Sequence, residues 1–344
     1  MFERLWNKMQ VFFRWVSIWI TRIIRFLTHD IWLLNEEDFS RFKGRLVKDA
    51  KTVLLMLNTF NDQKIDYQIT ALAYRSMMAV VPFIAIGLYL TDTVGLRDHF
   101  AEIVYANLGE GEVTQILLNA ADNITNTAET GLFGFISMAS FIWIVLSLML
   151  TVSRVFNNVW KVERVNQPLR TFGIIVGITL LSPFVIMLFF SGSVLYSNAL
   201  SFLFPDSTFL AGHIRSFLTW SVFAATTVFV LHIMYRYIPD TKVHSRYSLK
   251  AALIAGLVFT GVQYLYLETQ LMVAKQSAIY GVFAAIPLFM IWLNMGWSIV
   301  LYGAELSYAF QNVDQHSTTV EMLDEMNADA VRARKERRKK SIKL

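Results

Sequence analysis

Arg75, His232 and Glu305 each stand inside a long apolar stretch of this chain. Ionisable groups at that depth are expensive, and they face a bundle interior or a water-filled cavity. Together the three would line a polar pocket that suits an anionic headgroup or a small solute better than a metal ion. Two readings of the charges stay open: Arg75 and Glu305 pair or share a cavity, or Arg75 snorkels to the headgroups while Glu305 sits at the water boundary. His232, one turn before Arg236, reads more readily as a hydrogen-bonded packing residue than as a ligand. Gln263 and Asn294 lie deeper in their stretches and can bond between helices, each worth roughly 1 kcal/mol in a membrane.

Enzyme chemistry has no comparable footing. The chain lacks HExxH, a Walker-type glycine loop and GxSxG, and no Asp and His residues cluster at metal-ligand spacing. Cysteine is absent, which excludes disulfides, thiolate metal sites and cysteine nucleophiles. No catalytic, metal-binding or cofactor-binding residue is expected, and the expectation is a protein that is not an enzyme.

The segment that must position Glu305 is residues 280–310, long enough to cross a bilayer, since about 20 apolar residues at about 1.5 Å each cover a core of about 30 Å. Asn294 and Glu305 are 11 positions apart and return to one helix face, with Ser298 between them. Gly296 and Gly303 mark a second face where another helix can come close. Composition agrees with a membrane setting: 344 residues, 55% hydrophobic and 17% charged, with a mean hydropathy of +0.45.

Six spans are expected, at about 69–90, 132–152, 172–195, 217–235, 249–267 and 283–306. Pro82 falls in the first and Pro183 in the third, where it predicts a kink. Residues 2–27 carry apolar residues at helical spacing with Arg4, Lys8, Arg14, Arg22 and Arg25 among them, which predicts an amphipathic helix lying in the headgroup region. Its basic interruptions and the lack of a small-residue cleavage site read against a cleavable signal. Residues 53–60 form a short amphipathic elbow before the first crossing, and residues 91–130 form an acidic, short helical external cap. The expected organisation is therefore all-α: an N-terminal region over 1–68, a transmembrane domain over 69–306 and a basic tail over 307–344.

Orientation follows from the bases. Lys and Arg number 11 before the first span, one in the next connection, four in the following one, then one, four and one, and eight after the last span. With six spans and both termini in the cytoplasm, every rich segment lies inside. The tail RARKERRKKSIKL can attract anionic lipid or RNA. Without interleaved aromatics it reads as an orientation signal on a solvated helix, and no specific nucleic acid is expected.

Three separated motifs carry a family resemblance. ALAYRSMMAVVPFIAI, RVFNNVWKV and SAIYGVFAAIPLFMIWLNMGWSIVLYGAEL occur in order between about residues 46 and 310. Together they resemble the YihY/BrkB envelope-integrity proteins of the bacterial inner membrane. The resemblance marks Ala73, Tyr74 and Pro82, then Asn157 and Trp160, then Tyr280, Gly281, Trp292, Gly303, Ala304 and Glu305. Ala79 stands where relatives tend to have Ser, and Arg75 is not a residue the pattern requires. The resemblance implies a transporter-like role in envelope integrity or lipid handling, with membrane lipids and envelope proteins as partners. A non-transporting scaffold is the alternative. An older label, ribonuclease BN, finds no metal cluster or acid–base pair in the cytoplasmic segments to support it.

Overall fold

Long runs of Leu, Ile, Val, Phe and Ala, broken by few Gly and Pro, leave the backbone of an apolar segment one way to satisfy its own polar groups, which is the helix. The structure, a computed structural model, describes residues 30–34, 39–93, 131–162, 209–274 and 278–342, with isolated positions elsewhere. Among them, a 3-10 turn at Asp30–Leu33 precedes six helices: α1 (Arg41–Asp62), α2 (Ile65–Thr93), α3 (Gly131–Val159), α4 (Phe209–Tyr237), α5 (Ser245–Ala274) and α6 (Ala278–Ile342). The all-α expectation holds for these residues. The N-terminal interfacial helix (2–27), the external cap (91–130) and the third span (172–195) with Pro183 fall outside them, save for isolated positions.

Among the described residues, four helices hold stretches long and apolar enough to cross a membrane: Ile142–Val159, Ser216–Tyr237, Ser245–Thr269 and Pro287–Asn327. The helix α2, at 29 residues with Pro82 inside it, has the length for a further one.

By packing, the chain divides into two compact units, Met1–Thr59 with Tyr308–Leu344 and Phe60–Ser307. The two terminal segments that sequence sets apart as separate regions thus belong to one unit. Its core joins Ile31, Trp32, Leu55, Ala309 and Val313. Trp32 packs edge-on against His316, Lys48 pairs with Asp314, and the Lys51 ammonium, itself buried, donates to the Leu34 carbonyl at 2.9 Å. The expected elbow over 53–60 is the end of the longer α1.

The second unit is a bundle of α2 to α5 with the part of α6 before Tyr308. Paired contacts set the direction of α5, which runs antiparallel to both α4 and α6. On α4 and α5, Trp220 meets Tyr264 and His232 meets Ser248. On α5 and α6, Gln263 meets Trp292 and Ala255 faces Gly303. On α2 and α6, Ser76 meets Trp297. The largest buried side chains gather where α2 and α5 begin and α3 and α4 end: Ile65, Leu72, Phe156, Val159 and Tyr235, with Leu301 and Glu305 of α6. This end of the bundle, which also carries Arg154, Lys161, Arg236, Lys242, Arg246 and Lys250, is called the basic end below.

Small residues set how closely the helices approach there. A Cβ on Gly256 would lie 3.2 Å from the Val228 backbone, so α4 and α5 touch nearly backbone to backbone. A Cβ on Gly303 would strike the Tyr235 hydroxyl and lie 2.7 Å from the Ala255 Cβ. Gly296, by contrast, would make only an ordinary contact with Phe259 at 3.5 Å. The close approach foreseen at both glycines occurs at Gly303.

Gly303→Ala is therefore expected to cost about 1–3 kcal/mol through overpacking, read as a lower unfolding midpoint of the detergent-solubilised protein. Adding Tyr235→Phe removes the hydroxyl that the new methyl strikes and is expected to return part of that loss.

Candidate functional site

The site is built on a stretch of α6 that is buried on nearly every side. From Val300 to Ser307 only Tyr302 is exposed, and its ring stacks on Phe60 with centroids 4.3 Å apart. A helix buried all round belongs to the middle of a bundle. Leu301, Ala304, Glu305 and Ser307 are each fully buried. Both carboxylate oxygens of Glu305 and the hydroxyl of Ser307 lack a hydrogen-bond partner among the described residues, as does the hydroxyl of Tyr235. Gly303 and Glu305 are two positions apart, so they face opposite ways. Gly303 turns to α4 and α5, and the Glu305 carboxyl is acted on by the charge of Lys161, which follows α3.

The segment that carries Lys161 has its own local logic. The helix α3 ends at Val159, and Lys161 adopts a left-handed backbone, φ 53°. Its N–H donates to the Asn158 carbonyl at 2.9 Å, and the Val162 N–H donates to the Asn157 carbonyl at 2.9 Å. This is the Schellman closure, usually made with glycine in the left-handed position. Here lysine takes it, which presents an exposed ammonium stem just past the helix end while Trp160 stays buried. The buried Asn157 side chain does a second job: its Oδ1 accepts the Asp240 N–H at 2.7 Å and ties the end of α3 to the turn after α4. Phe156 packs beside Tyr235, with centroids 6.3 Å apart.

The structure does not bring the three charged candidates together. The Arg75 guanidinium donates to the Ser147 hydroxyl of α3 at 2.7 Å and lies exposed on the bundle. Its neighbour Ser76 accepts the Trp297 indole N–H at 2.9 Å, which sets this level of α2 beside Trp297. Glu305 is eight residues further along α6, about 12 Å of helix rise. His232 is committed elsewhere, with Nδ1 3.0 Å from the buried Ser248 hydroxyl and Nε2 3.3 Å from that of Ser245. The shared pocket thus resolves into three places, and only Glu305 is wholly enclosed.

Other marked positions have structural employment. Ala73 is buried, while Tyr74 is exposed. Trp292 donates to the Gln263 carbonyl oxygen at 2.8 Å and stacks on Phe289 and Tyr266, with centroids 5.6 and 5.5 Å away. Tyr280 and Gly281 lie in the first turn of α6. Tyr235 and Lys161 were not singled out from sequence. A tyrosine near a span end reads as an interfacial aromatic, and a lysine beside a span reads as a topology signal.

Residues 56–326 match the family described as virulence factor BrkB. The chain belongs to this family. A UPF0761 membrane protein of Psychrobacter sp. (strain PRwf-1) is 27% identical over 250 residues, covering 69% of this chain and 44% of the relative. A UPF0761 membrane protein of Legionella pneumophila (strain Corby) is 26% identical over 278 residues, covering 78% and 64%. A relative in Haemophilus influenzae (strain 86-028NP) is 23% identical over 266 residues, covering 76% and 96%. The chain spans between about two fifths and two thirds of the length of the first two. No solved structure matches it. With these relatives and its apolar helices, this BrkB-family chain is an integral membrane protein. Among the described residues, no group of three or more His, Asp and Glu side chains is placed to hold a metal ion.

Asn157→Ala strands the Asp240 N–H in a partly buried position and is expected to cost about 1–3 kcal/mol. The same unfolding midpoint checks it, with Asn157→Asp, which keeps the accepting oxygen, expected to lose less.

Proposed function

We propose that this BrkB-family protein is a transporter-like, non-enzymatic component of the bacterial inner membrane, concerned with envelope integrity or lipid handling. In this reading six spans place both termini in the cytoplasm, as the distribution of bases favours. The acidic cap of residues 91–130 is then external, and the basic end meets the anionic headgroups of the inner leaflet.

One observation carries the reading. Glu305 lies fully buried in a membrane-spanning stretch, neither oxygen accepts a hydrogen bond among the described residues, and Lys161 is the charge that acts on it. A helix that served only as an anchor would gain from leucine at this position, because an unpartnered carboxyl is costly in such surroundings. A group kept there at that cost fits a part that changes partner during a working cycle, with Glu305 and Lys161 drawn together in one state and apart in another.

A scaffold that recruits envelope proteins is the second reading. It draws support from the far part of α6, where Met322, Leu323 and Met326 are each more than half exposed. For the scaffold, shortening residues 91–130 or changing that apolar patch does more harm than any substitution inside the bundle.

Glu305→Gln separates stability from function. It keeps the shape and removes the charge, so the variant is expected to reach normal abundance with an unfolding midpoint no lower than that of the parent. It is expected not to restore the envelope of a strain lacking the gene, and Lys161→Gln is expected to restore it partly. Full restoration by Glu305→Gln at normal abundance would sink the transport reading.

A further inference from the structure

The helix α1 presents two apolar faces, and only one of them is used inside its unit. Leu55 belongs to the buried core, and Lys51, Thr52 and Thr59 are buried beside it. On the outer face, Phe42 is 73% exposed, Leu46 53%, Val53 46% and Leu57 44%. Their spacings of four, seven and four residues keep all four within about 60° of arc at about 100° per residue. The stripe thus runs for four turns along one side of the helix.

Charge frames this stripe. Arg41, Lys43, Arg45, Lys48 and Lys51 stand in α1 against Asp49 and Asp62, five positive and two negative, a balance of +3. Lys48 pairs with Asp314, and Lys51 turns inward to Leu34. Arg41, Lys43 and Arg45 are exposed along the edges of the stripe at its first turns, and no described carboxylate pairs with them. Asp49 is exposed at mid-stripe, which limits how deep the helix can sink.

Two more features point the same way. Trp15, Trp19 and Phe26, in the same unit, are 57%, 49% and 44% exposed at spacings of four and seven, and the two indoles lie 5.7 Å apart. Exposed tryptophans of this kind settle at headgroup level. Only Gln63 and Lys64 separate α1 from α2, the helix in which the first span is expected, so the bilayer is within a short reach of chain.

We propose that the outer face of α1 docks on an anionic phospholipid surface, with Phe42, Leu46, Val53 and Leu57 at the acyl boundary and Arg41, Lys43 and Arg45 on the phosphates. A helix with one wide apolar stripe and basic edges lies in the plane of the headgroups, about 5–10 Å deep, and its bases add attraction to anionic lipid. The docking does not depend on the transport reading. It requires only that the chain resides in a membrane, so it stands or falls separately from Glu305.

The chain has no cysteine, so single cysteines at Phe42, Leu46, Val53 and Leu57, and at Lys43 as an edge control, can each carry a nitroxide on the full-length protein in vesicles. Every chosen position is exposed, and monodisperse elution checks folding. In vesicles containing phosphatidylglycerol, the four stripe positions are expected to be more accessible to oxygen than to a nickel chelate, with the reverse at Lys43. In phosphatidylcholine alone the stripe labels are expected to shift outward. Neutralising Arg41, Lys43 and Arg45 to Gln in the labelled stripe variants is expected to abolish the difference between the two lipids. Nickel access along the whole stripe would overturn the proposal. So would exclusion of both reagents, with spin–spin broadening marking a second copy of the chain as the occupant and its absence marking another protein surface. Indifference of the stripe to lipid charge would overturn the anionic part.

Discussion

Helix α6 is enclosed between Val300 and Ser307, and the packing of the bundle at its basic end depends on what that enclosure permits. A residue there must be small, apolar or matched. Gly303 and Ala304 meet the condition by size: the first admits the Tyr235 ring and Ala255, and the second is fully buried. The Tyr235 hydroxyl takes the space that a Gly303 side chain would fill, so α4, α5 and α6 share one tight contact. Gly256 does for α4 and α5 what Gly303 does for α6. In a bilayer, where lipid tails compete with side chains for apolar contact, such close approach is a main source of helix association.

The connection after α3 is organised from that same end. A lysine in the left-handed conformation costs roughly 1–2 kcal/mol against glycine, and the two closing hydrogen bonds of Lys161 and Val162 offset it. The gain is positional. A glycine at 161 would close the helix equally well but bring no charge toward Glu305. Asn157 fixes this segment from the other side by holding the Asp240 N–H. The RVFNNVWK segment thus combines a helix stop, an anchor between helices and the cation that acts on the buried acid.

Much of the fold was legible because composition and the period of apolar residues report it directly. A membrane bundle, the closing helix and the family motifs can all be read without coordinates. The pairing of Arg75 with Glu305 could not be read, because depth counted from the start of each span does not set the register between spans. Ser76 lies beside Trp297, and that single registration puts Arg75 some two turns of α6 away from Glu305. Likewise, nothing in the spacing of Trp32, Leu55 and Val313 says that the two ends of the chain form one core. Their contact is between segments more than 200 residues apart, and local periodicity carries no term for it. Gly303 was read as a place of close approach, but the partner that fills the space, Tyr235, was hidden behind its resemblance to an interfacial aromatic.

Magnitudes decide whether Glu305 belongs to stability or to function. A buried polar group left without a partner costs about 1–3 kcal/mol, and more when it is charged. The other buried positions nearby are filled by Leu301, Ala304, Leu306 and the small Ser307, so an apolar side chain at 305 would meet no new polar demand. Lys161 acts on the carboxyl, yet no hydrogen bond joins Glu305 to any described group. A pair placed for stability alone would be expected to close that gap, because the attraction in such surroundings repays desolvation only when geometry and hydrogen bonds are good. The carboxyl is buried without a hydrogen bond among the described residues, so at position 305 it does less for the stability of the bundle than an apolar side chain would.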